Sequence, residues 1–535
     1  MHINFLLRSL KTVSSSLVFI CSAMATAQAP KDELKNYDLS SDKVLYTIGY
    51  SHLDTEWNWD YPTVVGEYIK NIMTENFYLF EKYPEYRYNF TGSRRYRMMK
   101  EYFPDLYETV KKYIASGQWY VAGSSVDEAE TVVSSPESIV RQTLYGNRFF
   151  QTEFGKTSMD YMLPDCFGFP ASLPTIVHHS GLLGFSTQKL SWGSAVGVPF
   201  NIGNWIGPDG SQMVSALNPG AYVSHVENRL DKDEKWTKRL EHNKEVSGYA
   251  FDYKYYGVGD QGGAPRENDV YNAVESLHNS DSNFKVLLTS SDQMFKDVTP
   301  AIKESLPTYT GDLLLTEHSA GSITSQAFMK KMNRKNELLA KATEPLAAIA
   351  DWQGRAAYPF TKLNKAWELV LGNQMHDILP GTSIPSVYEY AWNDELMAAS
   401  SFATVLENSM EALVQDMDTR VKGRAVVVYN PVETHREDIA KVKLAYAKMP
   451  PAVAVYDGNT QVKSQVIQQS QDSIELIFET NMQPLALKVY DVRPVRAVKT
   501  TSALKVTTNM LENTHYRVTL NAAGDIASFY DKQLD

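Results

Sequence analysis

The stretch His52-Leu53-Asp54-Thr55-Glu56-Trp57 sets an imidazole and a carboxylate two positions apart, just after the apolar run 44–48. Side chains alternate along an extended segment, so positions 52 and 54 point the same way and can reach one ion. An H-x-D pair by itself is a weak signal, because most such pairs are ordinary surface residues. Asp165, in Leu163-Pro164-Asp165-Cys166-Phe167-Gly168-Phe169-Pro170, is a lone carboxylate among apolar neighbours. A charge so placed must be paired, coordinated or hydrogen-bonded, unless it only caps a turn. His376 closes an apolar helical pattern containing Trp367 and Leu371, where a single histidine is usually a satisfied, half-buried side chain. Asp260 lies among Gly257, Gly259, Gly262 and Gly263, which let backbone approach a ligand or simply form a turn. Glu317, in Leu315-Thr316-Glu317-His318, is a further acid, for which a solvated face is the plainer reading. His52, Asp54, Asp165 and His376 would make a nitrogen–oxygen donor set suited to Zn2+. They are scattered along the chain, and spacing alone does not bring them together.

The elements that must position these residues change character twice. From about 43 to 300, short apolar runs alternate with helical stretches: strands at 44–48, 87–91 and 118–121, and helices at 64–82, 95–115 and 135–154. This alternation predicts an α/β domain with a mostly parallel, barrel-like sheet, whose sites collect at the carboxyl ends of the strands. Residues 245–268, rich in Gly and Tyr, read as a functional loop rather than an element. Three helices follow, at 329–349, 363–374 and 387–415, with Pro380-Gly381 breaking the chain between the last two. After Gly423 short strands with turn signals, at 425–429, 442–445, 452–456, 474–478 and 485–492, predict a β-sandwich. The expected boundaries are a signal peptide at 1–29, an α/β catalytic domain at 40–305, a three-helix middle domain at 306–415 and an incomplete sandwich at 422–535.

Composition narrows the function classes. With 535 residues the chain can bury several cores without a metal or disulfide staple. Its 52 Lys+Arg against 63 Asp+Glu, a net charge of −11, argue against a general nucleic-acid or anionic-membrane binder. Arg8 and Lys11, the apolar run 17–24 and the small residues Ala25, Thr26 and Ala27 form an export signal with an expected cut after Ala27. Cleavage would leave Cys166 as the only cysteine, so no intramolecular disulfide is expected in an exported, periplasmic or secreted protein. No later stretch is apolar for the roughly 18 residues of a membrane span.

Read together, the segments resemble glycoside hydrolase family 38, the zinc-dependent retaining α-mannosidases, in an exported bacterial form. The resemblance rests on SHLDTEWNW at 51–59, GQWYVAGSSVDEAETVVSSPESIVRQTLYGNRFF at 117–150, PDCFGFPASLP at 164–174 and AWELVLGNQMHDILPGTSI at 366–384, in family order. It implies that His52, Asp54, Asp165 and His376 bind Zn2+ and that Asp165 is also the nucleophile. It implies that Trp57 stacks under the sugar, that Asp377 binds sugar hydroxyls and that Glu128 and Glu130 form an acidic pair in the substrate site. Glu130 stands where the family usually has Asp. Asp260 matches the acid/base in a glycine-rich segment from which Gln261 departs, and Glu317 is the reserve acid. The implied substrate is a mannose-containing oligosaccharide or glycan. Such an enzyme needs its two carboxyl groups about 5–5.5 Å apart. Two other readings use the same residues. One is a zinc-dependent carbohydrate deacetylase-type hydrolase in which Asp165 serves as base; the other is a non-catalytic mannose-binding protein.

Overall fold

A computed structural model of the chain describes residues 36–278, 283–498 and 503–534. The signal peptide expected at 1–29 lies outside the described residues. Ten strands build the first domain: β1 (Val44–Ser51), β2 (Tyr88–Thr91), β3 (Trp119–Ala122), β4 (Asp160–Met162), β5 (Gly184–Ser186), β6 (Ile202–Ile206), β7 (Gln212–Ala216), β8 (Phe251–Val258), β9 (Lys285–Leu288) and β10 (Thr308–Thr310). Every residue of β1 is buried, as a parallel strand covered on both faces must be. It pairs in parallel with β8 along its whole length, from Val44 opposite Phe251 to Ser51 opposite Val258. Its first half also pairs with β9 and its second half with β2, which continues to β3. The second sheet runs β10-β6-β7-β5-β4, parallel except for the antiparallel β6–β7 hairpin.

Two local expectations need correction. The Gly/Tyr-rich segment 245–268 holds β8, which pairs with β1 along its whole length, with Phe251, Tyr253 and Tyr255 facing one core and Tyr256 another. The single helix expected at 95–115 is two, Ser93–Tyr102 and Pro104–Ser116. Pro104 lacks an N–H and forces Phe103 out of the helical region, to φ −134° and ψ 57°.

The helices Ala327–Trp352, Phe360–Asn373 and Pro385–Val414 form the middle domain. Ala340, Trp367, Val370 and Phe402 make their core, and Val126 of the first domain joins it. Arg141 reaches across to Glu344 at 2.5 Å, and Gln142 donates to the Leu371 carbonyl at 2.8 Å. No helix among the described residues is long and apolar enough to cross a membrane.

The C-terminal region is antiparallel. One sheet joins Arg424–Tyr429, Leu487–Val495, Ala452–Asp457 and Thr460–Val462; another joins Arg436–Ala445, Ser473–Met482 and Ser464–Gln469. Val453, Val455, Leu476, Phe478, Tyr490 and Val492 fill the space between them. A last four-stranded meander spans Lys505–Val506 to Ile526–Asp531, and no described residue of 503–534 is buried.

Candidate active site

Past β1 the chain stays extended beside the continuation of β8: His52 N–H donates to the Val258 carbonyl at 2.9 Å and Asp54 N–H to Asp260 at 2.8 Å. This fixes the alternation that points His52 and Asp54 to one side. The approach is close. A Cβ at Gly257 (φ +150°) would fall 1.7 Å from the Tyr50 carbonyl oxygen, so only glycine fits there. Asp165 follows β4, with Leu163 N–H donating to Ser186 at 3.0 Å. His376 follows the helix Phe360–Asn373 and is stitched to the first domain: its N–H donates to the Glu128 carbonyl at 3.1 Å, and Glu130 N–H donates to Gln374 at 2.8 Å.

These segments converge. Ligand atoms of His52, Asp54, Asp165 and His376 all lie within 4.8 Å of one another. His52 Nε2 is 2.9 Å from Asp54 Oδ1; His376 Nε2 is 3.2 Å from the same oxygen and 3.9 Å from Asp165 Oδ2. Both rings are held from behind. His376 Nδ1 lies 3.0 Å from the Glu128 carbonyl, to which it can only donate, and its buried Nε2 has no hydrogen-bond partner. His52 Nδ1 lies 3.3 Å from Glu128 Oε2 and 3.1 Å from the Tyr50 hydroxyl. Each Nε2 is thereby left as the atom facing the cluster, the tautomer a metal requires. Two imidazoles and two carboxylates with an orphaned buried nitrogen fit a divalent ion of the zinc type.

Electrostatics agree with that fit. Burial works against charge on His52, but the Glu128 and Asp54 carboxylates outweigh it and push its pKa up to about 9. Burial likewise opposes charge on Asp54, yet the two histidines hold it well below the usual carboxylate range. A cation bound here would take over the role of the proton.

The acidic pair expected to meet substrate lies elsewhere. Glu128 and Glu130 are both fully buried; Glu128 sits behind the histidines, against His52 Nδ1 and His376 Nδ1. Glu128 accepts from Tyr50 and Thr91, each at 2.6 Å, and faces Arg95 Nη1 at 3.6 Å. It orients His52. Glu130 accepts from Val132 N–H at 2.7 Å, and burial raises its pKa to about 7 against the pull of the Val132 and Phe167 amides.

Asp377 lies 3.7 Å from His376 Nε2 and accepts from the Thr382 hydroxyl; burial first and Asp54 second raise its pKa to about 8. Trp57 is half-buried and meets Trp59 edge-on at 5.6 Å. Asp260 accepts from the Tyr222 hydroxyl at 2.7 Å, and the Tyr222 ring lies 4.6 Å from that of His52. Glu317 is exposed and makes no hydrogen bond to any cluster residue. Of the two acids, Asp260 is therefore the one tied into the site. Trp57, Asn58, Asp60, Tyr68, Asp260 and Gln261 help line an open cavity of about 620 Å³ beside the cluster.

Two residues were not singled out from the sequence. Lys189 has a side chain only 1% exposed; its Nζ bonds Asp165 Oδ1 and lies over Trp192 at 4.1 Å and Phe167 at 4.9 Å. The mixed segment Gln188-Lys189-Leu190-Ser191-Trp192 carries no pattern that marks this lysine as buried. Tyr222 had no signal either, since one more tyrosine in an aromatic-rich chain stands out from nothing.

Comparisons with known proteins agree in direction. The family description "Glycosyl hydrolases family 38 N-terminal domain" matches residues 43–312, and "Alpha mannosidase middle domain" matches 317–413. The chain is 31% identical to alpha-mannosidase G of Dictyostelium discoideum over 362 residues, covering 68% of this chain and 32% of that protein. It is 30% identical to human alpha-mannosidase 2C1 over 455 residues, covering 82% of this chain and 42% of the relative. It thus spans well under half the length of these relatives. An alpha-mannosidase structure from Enterococcus faecalis V583 superposes with a TM-score of 0.72 at 20% identity, over 92% of this chain and 61% of that one. At that identity the likeness speaks for the fold.

Proposed function

The chain belongs to glycoside hydrolase family 38, and from that premise we propose that it is a zinc-dependent retaining α-mannosidase releasing terminal α-linked mannose from oligosaccharides or glycans. The observation that carries the reading is the convergence of His52, Asp54, Asp165 and His376, with Lys189 pinning one Asp165 oxygen and Asp260 held nearby by Tyr222. Zinc held by the four ligands would supply Lewis-acid binding of neighbouring sugar hydroxyls.

The protein's own groups then divide the work. Asp165 attacks the anomeric carbon as the bond to the leaving oxygen breaks, and Asp260 gives that oxygen its proton. In the second half, a water yields a proton to Asp260 while its oxygen joins the anomeric carbon, releasing Asp165. Lys189 orients the nucleophile and Tyr222 the acid. Trp57 offers an apolar ring to the sugar face, and Asp377 accepts from its hydroxyls. The proposed setting is outside the cytoplasm, on the charge and apolar pattern of residues 1–29; fractionation of cells with and without that segment tests it.

The decisive experiment is trapping with a 5-fluoro-mannosyl fluoride. Intact mass should rise by one fluoromannosyl unit, and peptide analysis should place it on Asp165. Turnover with no label on Asp165 sinks the mechanism. Elemental analysis of the same sample tests the metal: full activity in zinc-free protein removes it from the scheme.

A further inference from the structure

We propose that the cavity beside Asp260 receives the leaving group, and that it selects neutral, hydroxyl-rich leaving groups over anionic ones. This rests on the mannosidase reading and adds the class of group on the far side of the bond. The acid must face the leaving oxygen, so whatever departs lies on the Asp260 side. The cavity shares Trp57 and Asp260 with the site, but none of the four cluster residues lines it. It therefore adjoins the position of the mannose rather than containing it. About 620 Å³ is ample for a sugar unit.

Its walls are polar and cation-free. Asn58, Asp60, Thr63 and Gln261 contribute polar groups, Trp57 and Trp59 contribute rings, and no Lys, Arg or His is among the lining residues. Asp60 uses Oδ1 to accept from Thr63 N–H at 3.3 Å and Thr63 Oγ1 at 2.9 Å. Its Oδ2 has no protein partner among the described residues and is left to accept from a hydroxyl. The neighbouring cation, Arg94, is turned away toward Glu56 at 3.7 Å, Asp127 at 3.9 Å and the Gly372 carbonyl at 2.9 Å. A carboxylate or phosphate on the leaving group would meet the Asp60 carboxylate with no cation to answer it, while Asp260, holding the proton it delivers, adds no charge. The walls are also fixed to the cluster: Trp59 Nε1 donates to the Asp54 carbonyl at 2.9 Å, and Trp57 N–H donates to Trp59 at 3.0 Å.

The test compares 4-carbamoylphenyl with 4-carboxyphenyl α-mannoside on the full chain, read as the ratio of kcat/KM values. The neutral substrate should win by about tenfold at low salt, and the ratio should shrink as salt is added. Asp60→Asn keeps a side chain able to cap Thr63, and Gln261→Lys adds a cation at an exposed wall. Each should move the ratio about three- to tenfold toward the carboxylate. If the parent cleaves both substrates equally, or both variants leave the ratio within twofold, the inference falls while the mannosidase reading stands. Cleavage of neither compound, nor of any mannobiose, overturns both.

Discussion

The region around His52 and the terminal sheet 503–534 treat side chains in opposite ways. At the first, His52, Glu128, Glu130, Arg95 and His376 are charged or chargeable yet wholly out of water. At the second, Ile526 and Phe529 are apolar yet 66% and 61% exposed. Each buried carboxylate needs several partners to be tolerable, and Glu128 has Tyr50, Thr91, His52 and Arg95. A single change there disturbs a network, whereas a change on the exposed sheet disturbs one side chain. Charge is held by a buried network where it must be aimed, whereas the terminal meander rests on its own ladder and on side-chain pairs such as Lys532 with Glu512 at 2.8 Å.

The largest effect expected from this contrast is at the nucleophile. Asp165→Asn should lower kcat on an aryl α-mannoside by about 10^4-fold, with circular dichroism unchanged; near-normal turnover would break the assignment. Next comes the residue behind the ring. Glu128→Gln keeps the shape but removes the charge facing His52 Nδ1, and metal affinity should fall about 10- to 100-fold in chelator competition followed by elemental analysis. A variant that binds zinc as tightly as the parent would reduce Glu128 to packing.

The helical domain shows the same habit on a smaller scale. Burial raises the Glu395 pKa to about 8 against the pull of its bonds to Asn336 and Asn373. A raised carboxylate pKa means the native state holds a proton the unfolded chain has lost. This contribution is complete below about pH 4.5 and is lost as pH rises toward 8. Denaturant titrations between those limits should show stability falling by up to about 1.4 kcal/mol per pH unit from this residue, and Glu395→Gln should flatten that slope. An unchanged slope would show the charge is accommodated. Smallest of all, Ile526→Lys or Phe529→Lys should shift stability by no more than about 0.5 kcal/mol and leave kcat where it was. Loss of activity from either would move the terminal sheet into the site's company and dissolve the contrast.

The same contrast explains what the sequence makes legible. The three long helices are readable because their apolar faces repeat over many turns; the middle one, expected at 363–374, spans Phe360–Asn373. The second sheet is nearly invisible, because β4 and β5 are three residues each and entirely buried, leaving no alternation to detect. β8 is hidden by its tyrosines and by Gly257, which is there for backbone clearance. The four ligands are recognisable only as a family set, since their convergence depends on pairings over hundreds of residues. The family resemblance implies a substrate-facing role for Glu128 and Glu130. Burial, which no local pattern encodes, takes both out of contact with solvent instead.

The stitching of His376 to the 128–130 segment has a consequence for cutting the protein in two. The matched regions 43–312 and 317–413 meet at a short joint, and fragments divided there would carry three ligands on one side and one on the other. Neither half could assemble the centre alone. Co-produced, the halves would present complementary edges: the Ala129–Met375 bridge, the Arg141–Glu344 pair and the shared core at Val126. Restored activity on mixing would then report fragment association, with the centre itself as the coincidence detector.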